Sequence, residues 1–274
     1  MKQQKKGAIW VCLFWISYSL IGQVQLKTYT EKIADGYEFL VDNDAYCPVS
    51  MVLNLELHNM TSTHGNHKIF VIPARSKKHL VTTLKIAKKG RYGYQSKLLY
   101  NYGNHLKNTY DQNYRYSLPF AKGQKINVCQ GYEGSFSHQN EKALDFAMEI
   151  GTAVYAAREG VVVKVIDHNH QICSERKCTK YNNIILIYHK DGTFSEYVHL
   201  QKNGALVKVG DPIKKNQLIA KSGNVGFSTG PHLHFAVFKQ KMKGRETIKT
   251  KFNVYNSPNP MYLEEGMSYK KASN

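Results

Sequence analysis

Residues 230–238 read Gly-Pro-His-Leu-His-Phe-Ala-Val-Phe, and this stretch decides how the second half of the chain is expected to fold. Successive side chains of an extended strand point to opposite faces, so His232, His234 and Ala236 share one face. The other face carries the apolar side chains Leu233, Phe235 and Val237. This alternation predicts a β-strand with one face in a core and a pair of histidines facing an open groove.

The same alternation recurs around a carboxylate and around a further histidine. Residues 143–148 read Ala-Leu-Asp-Phe-Ala-Met, which sets Asp145 between two alanines on one face and the large apolar residues on the other. His199 alternates with apolar neighbours, and a period of two places it on a face with Tyr197. A carboxylate between small residues faces a groove rather than a packed core. We therefore expect Asp145 and His199 to face the same groove as the histidine pair.

Short strand patterns and turns rich in Gly, Asn and Asp fill the rest of the second half. The strand candidates are residues 143–148, 160–166, 183–189, 194–200, 217–220 and 233–238. This region contains no stretch of useful length with a helical period, and no internal repeat. The prediction is an all-β fold, in which an antiparallel β-sheet domain with an open groove follows a β-sandwich-like accessory domain.

The accessory domain is predicted from alternation in the first half, for example over residues 52–57 and 80–86. Five histidines occur there at irregular spacings without nearby carboxylate or thiol partners and are expected on the surface: His58, His64, His67, His79 and His105. The predicted division is a leader over 1–22, the accessory domain over 23–122, the groove-bearing domain over 123–262 and a mobile tail over 263–274. Residues 117–123 are the expected linker.

The first 22 residues have the composition of a signal peptide. Lys2, Lys5 and Lys6 precede an apolar run over residues 8–16, and small residues follow. The run is short for a bilayer span, so we expect export to the periplasm or beyond, with no stable membrane span after cleavage, and a retained signal anchor is the alternative. The formal net charge of +18 favours anionic cell-envelope polymers as partners. Nucleic acid is not expected, because the lysines are scattered and no known nucleic-acid module occurs.

Four cysteines remain after the predicted cleavage, which suggests disulfides in an exported chain. Cys173 and Cys178 are separated by four residues and are expected to close a small loop. Cys47 would then pair with Cys129, although spacing alone leaves three pairings open. No Cys-x-x-Cys pair occurs, so a structural zinc on these thiols is not expected.

Five side chains form the candidate reactive set: His138, Asp145, His199, His232 and His234. Imidazoles and a carboxylate are ligand types that zinc accepts, and three protein ligands with a fourth position for water are typical of a catalytic site. The side chains of an i, i+2 pair are roughly 7 Å apart at their base, so one histidine can bind metal while the other reaches a bound water or substrate oxygen. Each residue alone is a weak signal, whereas the combination favours a catalytic metal site.

The residues in and around these positions resemble the core of the lysostaphin/LytM-type zinc endopeptidases. The resemblance runs from about Gly131 to Phe238 and is carried by residues 137–148, 151–162, 197–200, 207–211 and 222–235. It implies one Zn²⁺ bound by His138, Asp145 and His234, with His199 and His232 as catalytic histidines beside it. It also implies an antiparallel β fold with a groove, in which a zinc-activated water hydrolyses the peptide cross-links of peptidoglycan.

Two departures from the family pattern concern the site itself. Six residues separate His138 from Asp145, where some relatives have a shorter gap, so the first loop is expected to have its own shape. Ala236 stands where an acidic residue often follows the His-x-His-Phe string. The support that such a residue gives to the metal ligands is therefore an open question from the sequence.

Three other functions are compatible with parts of the sequence. A non-catalytic cell-wall-binding or regulatory module could use the same scaffold, but this chain keeps all five polar positions. Residues 209–219 resemble the turn pattern of lipoyl or biotinyl carrier domains, but the modifiable lysine motif of those domains does not occur. Hydrolysis of a peptide outside the cell wall would use the same zinc chemistry, and the sequence does not separate it from wall hydrolysis.

Overall fold

The computed structural model of the chain describes residues 26–272, so the predicted leader lies outside the described residues. Strands and turns make up nearly all of this range, and its one helix is a short 3₁₀ helix over Arg176–Tyr181. The all-β prediction is confirmed. Between residues 26 and 272 no helix has the length and hydropathy needed to cross a bilayer.

The first seven strands form two antiparallel sheets. They are β1 (Leu26–Ile33), β2 (Gly36–Asn43), β3 (Val49–His58), β4 (Met60–Ser62), β5 (His67–Ile72), β6 (Ser76–Ile86) and β7 (Gly93–Tyr102). One sheet has the order β1-β2-β6-β4 and the other the order β5-β3-β7. Both contribute to one core, in which Phe39 and Leu84 from the first sheet join Met51 and Leu53 from the second. Two sheets around a shared core make the sandwich-like unit expected from the alternation.

Sixteen strands follow in the described part of the chain. They are β8 (Arg115–Ser117), β9 (Lys125–Gln130), β10 (Ala143–Phe146), β11 (Ala153–Tyr155), β12 (Gly160–Ile166), β13 (Ile172–Cys173), β14 (Ile184–Tyr188), β15 (Phe194–Val198), β16 (Leu200–Ala205), β17 (Pro212–Ile213), β18 (Leu218–Ser222), β19 (Gly226–Phe227), β20 (Leu233–Gln240), β21 (Arg245–Ile248), β22 (Lys251–Asn253) and β23 (Ser268–Lys270). The large sheet has the order β17-β12-β14-β15-β20-β10-β9-β23, and β21 pairs with the far end of β20.

The large sheet has one apolar face, as the alternation predicts. Leu144, Phe146, Leu233 and Phe235 on that face are fully or almost fully buried in a core that also includes residues of the small sheet β11-β18-β16. The neighbours β20 and β10 are antiparallel, and their register sets Asp145 opposite His234. Both polar side chains therefore lie on the other face of the sheet, side by side.

That second face becomes apolar toward its other end, where the first unit covers it. Phe194 on β15 and Phe238 on β20 pack there with Cys47, Val163 and Leu186, a cluster that we call the seam. The thiol of Cys47 is fully buried in the seam. The metal-ligand candidates and the contact between the two units thus share one face of one sheet.

The predicted pairing of Cys47 with Cys129 is wrong, since both cysteines are free. Cys129 lies on β9, which is two strands away from β20 in the large sheet, whereas Cys47 packs against Phe238 on β20. Two strand spacings are roughly 10 Å, whereas a disulfide needs Cα atoms within about 7 Å of each other. The predicted Cys173–Cys178 bridge is present, with a Cα–Cα distance of 6.0 Å.

Two expectations about the chain connections also need correction. The predicted mobile tail is ordered up to residue 272: β23 pairs with β9, and Leu263 and Tyr269 are buried in the main core. Their apolar side chains complete the core beside an otherwise unpaired edge strand. The expected linker 117–123 is packed rather than open, because Leu118 and Phe120 are fully buried in the same core. The domain limits themselves stay predictions.

Candidate metal centre

The centre begins with the register of two neighbouring strands. Asp145 on β10 is the direct partner of His234 on β20. His234 Nδ1 lies 2.9 Å from Asp145 Oδ1, which is hydrogen-bond distance. The Asp145 side chain is 9% exposed and that of His234 is 14% exposed. The Asp145 carboxylate and the His234 imidazole are therefore both largely buried, and a buried polar group needs a hydrogen-bonding or charged partner.

A loop brings the third donor. His138 precedes β10, in the connection from β9, and its side chain is 2% exposed. Its Nδ1 donates to the carbonyl oxygen of Gly131 at 2.9 Å, which leaves Nε2 facing the two strands. That Nε2 lies 3.2 Å from Asp145 Oδ1 and 3.2 Å from His234 Nδ1. The six-residue spacing before Asp145 is therefore compatible with a shared site.

Ligand atoms from His138, Asp145 and His234 all lie within 4.8 Å of one another. Among residues 26–272 this is the one group of three or more such side chains close enough to hold a metal ion. Two imidazole nitrogens and one carboxylate oxygen, all converging and mostly buried, are a donor set that fits zinc. Of the histidines in the first unit, His58, His64 and His67 are exposed and His79 and His105 are half-buried, and none of the five joins this group.

The other two predicted histidines lie beside this group. His232 Nε2 is 3.8 Å from Asp145 Oδ2, and its Nδ1 donates to the carbonyl oxygen of Gly230 at 2.8 Å. His199 Nδ1 donates to the carbonyl oxygen of Val225 at 2.8 Å. The ring centroids of His199 and His232 are 4.6 Å apart, and those of His199 and His234 are 6.1 Å apart. All five side chains singled out from the sequence come together.

His199 reaches this place by a route that the alternation did not predict. Tyr197 is fully buried in the main core, and its hydroxyl accepts from the backbone N–H of Ala157, so the expected shared face with His199 is wrong. β15 ends at Val198, and His199 has a φ of +63° before β16 begins. That left-handed backbone turns the ring away from the core face, where a continuous strand would have put it.

The electrostatics of the centre follow from burial and from the carboxylates. Burial alone would raise the pKa of Asp145, but the adjacent imidazoles of His138 and His234 outweigh it and hold that pKa below its usual range. Burial alone would lower the pKa of His234, but Asp145 and Glu196 together raise it to about 9. The pKa of His199 is lowered to about 3 by burial and by the neighbouring histidines, so this ring is neutral at neutral pH.

Glu196 is a site residue that the sequence reasoning missed. Its Oε1 lies 3.5 Å from His234 Nε2, on the side of the ring away from Asp145. Arg245 binds the same carboxylate oxygen at 2.5 Å. Burial would raise the pKa of Glu196, yet the charge of Arg245 and the contact with His234 lower it to about 2. With Tyr197 in the core, the alternation of β15 sets Glu196 and Val198 on the face of His234, but the sequence analysis had placed Tyr197 on the groove face.

An aromatic pair and the disulfide involve segments that lead into the loops of His138 and His232. Phe136, from the loop that carries His138, stacks on Phe227 with ring centroids 6.5 Å apart. Phe136 is 62% exposed. Phe227 belongs to β19, which pairs in parallel with β13, and β13 ends at the bridged Cys173. The disulfide loop is thus attached to the strand that precedes the His232 turn.

Comparison with known proteins finds similarity to a described family over much of the second half of the chain. Residues 139–246 match the model of Peptidase family M23. Peptidoglycan DD-endopeptidase ShyA of Vibrio cholerae is 37% identical over 110 residues, which are 40% of this chain and 22% of that protein. Lysostaphin of Staphylococcus simulans is 33% identical over 130 residues, which are 47% of this chain and 22% of that protein.

A longer match covers most of the chain. An uncharacterized metalloprotease of Buchnera aphidicola is 27% identical over 222 residues, which are 77% of this chain and 55% of that protein. The chain thus spans from about a fifth to just over half of the length of these curated relatives. Among solved structures, the catalytic domain of lysostaphin from Staphylococcus simulans is 30% identical, with a TM-score of 0.34, over 45% of this chain and 87% of that domain.

Proposed function

This chain contains a domain of peptidase family M23, homologous to lysostaphin and to peptidoglycan DD-endopeptidase ShyA, and we propose that it is an exported zinc metalloendopeptidase that hydrolyses peptide cross-links of peptidoglycan. The observation that carries the proposal is the convergence of His138, Asp145 and His234 beside two further histidines whose outer nitrogens already have partners. One zinc ion per chain would occupy the three-residue site.

The three converging residues would hold the metal through His138 Nε2, His234 Nδ1 and the carboxylate of Asp145. Zinc bound there supplies a Lewis acid for the scissile carbonyl and for the attacking water. The single negative charge of Asp145 offsets only part of the charge of a divalent ion, and neutral imidazoles offset none. With zinc bound, the three residues would therefore leave a net positive charge at the centre.

His199 and His232 would handle the protons of the reaction. Each donates its Nδ1 proton to a backbone carbonyl, so each presents an unprotonated Nε2 when the ring is neutral. One ring can accept the proton of the attacking water, and the imidazolium so formed can protonate the leaving amine. Both Nε2 atoms are available, so we assign this work to the pair.

The substrate class rests on the relatives and on charge. ShyA is a peptidoglycan DD-endopeptidase, lysostaphin is an antimicrobial peptidase, and a third relative, from Staphylococcus capitis, is the glycyl-glycine endopeptidase ALE-1. The chain carries a net charge of +18, which favours binding to anionic envelope polymers near the substrate. The predicted leader over 1–22 supports export to the place where peptidoglycan lies.

Digestion of purified sacculi tests the proposal. The zinc-loaded protein is compared with chelator-treated protein and with the Asp145→Ala variant, and the released peptides are identified by mass spectrometry. New amino termini are expected with the zinc-loaded protein alone. An unfolded protein substrate, run in parallel, separates wall hydrolysis from general peptide hydrolysis. Binding of the zinc-loaded protein to sacculi without any peptide release would overturn the enzymatic proposal and indicate a wall-binding module.

A further inference from the structure

His234 differs from the other histidines of the centre in what holds its outer nitrogen. His138, His199 and His232 each donate to a backbone carbonyl. The outer nitrogen of His234 instead faces a side chain, the carboxylate of Glu196, at 3.5 Å. A side-chain partner can be changed by substitution, which makes its contribution measurable.

The position of Glu196 follows from the strand register. β15 lies beside β20, with Val198 opposite His234 and Glu196 opposite Ala236. Directly opposed residues have Cβ atoms about 5 Å apart, and diagonal neighbours about 7–8 Å apart, so Glu196 reaches the His234 ring across the methyl group of Ala236. A larger side chain at 236 would occupy the space that the carboxylate uses.

A buried carboxylate needs compensation, and Arg245 provides it. The Glu196 side chain is 7% exposed. Arg245 on β21 contacts Glu196 Oε1 through Nη1 at 2.5 Å and Glu141 Oε2 through Nη2 at 2.7 Å, and its guanidinium lies over the ring of Phe238 at 4.9 Å. A planar, permanently charged group held at three points fixes the Glu196 carboxylate in one place.

We propose that Glu196 is a positioning residue for His234. When a metal is bound, the Glu196 carboxylate would hold the remaining ring proton on Nε2, so that Nδ1 presents its lone pair toward His138 and Asp145, and Arg245 with Glu141 keeps the carboxylate in that position. The inference rests on the proposed function for the identity of the ion. A partner of this kind fixes both the tautomer and the orientation of a ligating imidazole, and its removal typically costs about 10–100-fold in metal affinity.

Zinc affinity measured by competition with a chromogenic chelator tests this directly, without any hydrolysis assay. Glu196→Ala is expected to bind zinc about 10–100-fold more weakly than the wild type. Residue 236 lies on the same face, opposite Glu196, so Ala236→Glu in the Glu196→Ala background returns a carboxylate to the same space. This double variant is expected to recover at least tenfold of the lost affinity. A residue with a merely structural role would show no such rescue.

Asp191→Ala is the matched control, because Asp191 forms a comparably buried pair with Arg158 at 2.8 Å in the same unit, away from the centre. It is expected to lower the urea midpoint while leaving zinc affinity within twofold. If Glu196→Ala does not fold, the isosteric Glu196→Gln replaces it and is expected to bind zinc at least fivefold more weakly.

Two results would overturn the inference. One is a folded Glu196 variant that binds zinc within twofold of the wild type, and the other is a double variant that binds no better than Glu196→Ala. Failure of the wild type itself to bind zinc is a different outcome, because it removes the metal and with it the proposed function. The two failures are therefore told apart by the wild-type titration.

Discussion

The histidines of the centre are oriented one by one through their outer nitrogens. His138, His199 and His232 use Nδ1 for a backbone carbonyl and present Nε2, whereas His234 presents Nδ1 toward Asp145. These contacts fix the orientation of each ring before a metal or substrate arrives, which lowers the reorganisation needed on binding. His138, Asp145 and His234 form the three-donor group, and His199 and His232 lie beside it. Substitution of one set or the other can therefore separate metal binding from proton transfer.

His199 and Asp145 should separate metal binding from turnover. His199→Ala leaves all three converging donors in place, so we expect close to one zinc per chain and at least about 100-fold slower release of peptides from sacculi. Asp145→Ala removes a donor and should lose both zinc and activity. Elemental analysis after dialysis, together with peptide release, measures the two properties. A fully active His199→Ala protein would show that the assigned role is wrong.

The sequence gives the identity of these residues but not every path by which they meet. Alternation predicted the face of Asp145 and His234 because β10 and β20 run through these residues, and β20 begins directly after His232. It failed at His199, where a single residue with a φ of +63° ends one strand and begins another. No simple pattern marks a left-handed histidine. It missed Glu196 because strand pairing, which sets Glu196 opposite Ala236, is a long-range property.

At the scale of elements, the disulfide acts on a strand pair rather than on a free loop. Cys173 ends β13, which pairs in parallel with β19. The backbone N–H of Gly226 donates to the carbonyl of Gln171 at 2.8 Å, and that of Ser228 to the carbonyl of Cys173 at 3.1 Å. Two-residue strands have little stability of their own, so the covalent bridge matters for the position of Phe227.

Removal of the bridge should loosen this strand pair. The double change Cys173→Ser and Cys178→Ser frees a short loop, whose closure entropy corresponds to about 2 kcal/mol of stability. We expect faster hydrogen exchange at the amides of Gly226 and Ser228, with little change in the main sheet. Hydrogen-exchange mass spectrometry and urea unfolding measure these effects. Unchanged exchange at both amides would mean that the strand pair holds without the bridge.

The last strand is also part of the folded core. Tyr269 on β23 is 7% exposed, and its hydroxyl accepts from the backbone N–H of Glu264 at 2.9 Å. We expect Tyr269→Ala to lose about 3 kcal/mol of unfolding free energy, the usual cost of truncating a large buried side chain. Ser268→Ala, at an exposed position of the same strand, should change it by less than about 0.5 kcal/mol. Urea unfolding compares the two, and equal midpoints would contradict a structural role for β23.

Elements with long alternation were predictable, and short ones were not. The strand expected over 160–166 forms with those bounds, and the first two sheets form the sandwich expected from residues 52–57 and 80–86. The tail was misread because two buried residues, Leu263 and Tyr269, stand six positions apart in a charged segment and give no periodic signal. The pairing of Cys47 was misread because spacing says nothing about which sheet edge a cysteine lies on.

At the scale of the whole molecule, a buried histidine away from the centre should make stability depend on pH. His189 is fully buried, with Nδ1 donating to the carbonyl of Glu159 at 2.6 Å and Nε2 3.0 Å from Ser195 Oγ. Burial and the charge of Arg158 lower the pKa of His189 from 6.5 to about 4. The folded protein therefore binds this proton less readily than the unfolded chain does.

The sign of the effect follows from that difference. Above pH 6.5 His189 is neutral in both the folded and the unfolded chain, so it does not reduce the free energy of unfolding there. Between pH 6.5 and about 4 the unfolded chain gains the proton first, so stability falls by up to about 1.4 kcal/mol per pH unit. Urea unfolding at pH 7 and pH 5 measures the loss, which should be smaller in His189→Gln. Equal losses in both proteins would exclude His189 as the cause.

The seam has a consequence for anyone who divides the molecule. Phe194 and Phe238 stack with ring centroids 5.7 Å apart, and Cys47 and Tyr102 of the first unit cover them. A fragment that starts at residue 123 would lack Cys47 and Tyr102, so the apolar side chains of Phe194 and Phe238 would be exposed to solvent. Such a fragment should self-associate, as sedimentation would show, and a polar replacement of Phe238 should keep it monomeric. The amino-terminal unit thus shields an apolar surface of the second unit from solvent.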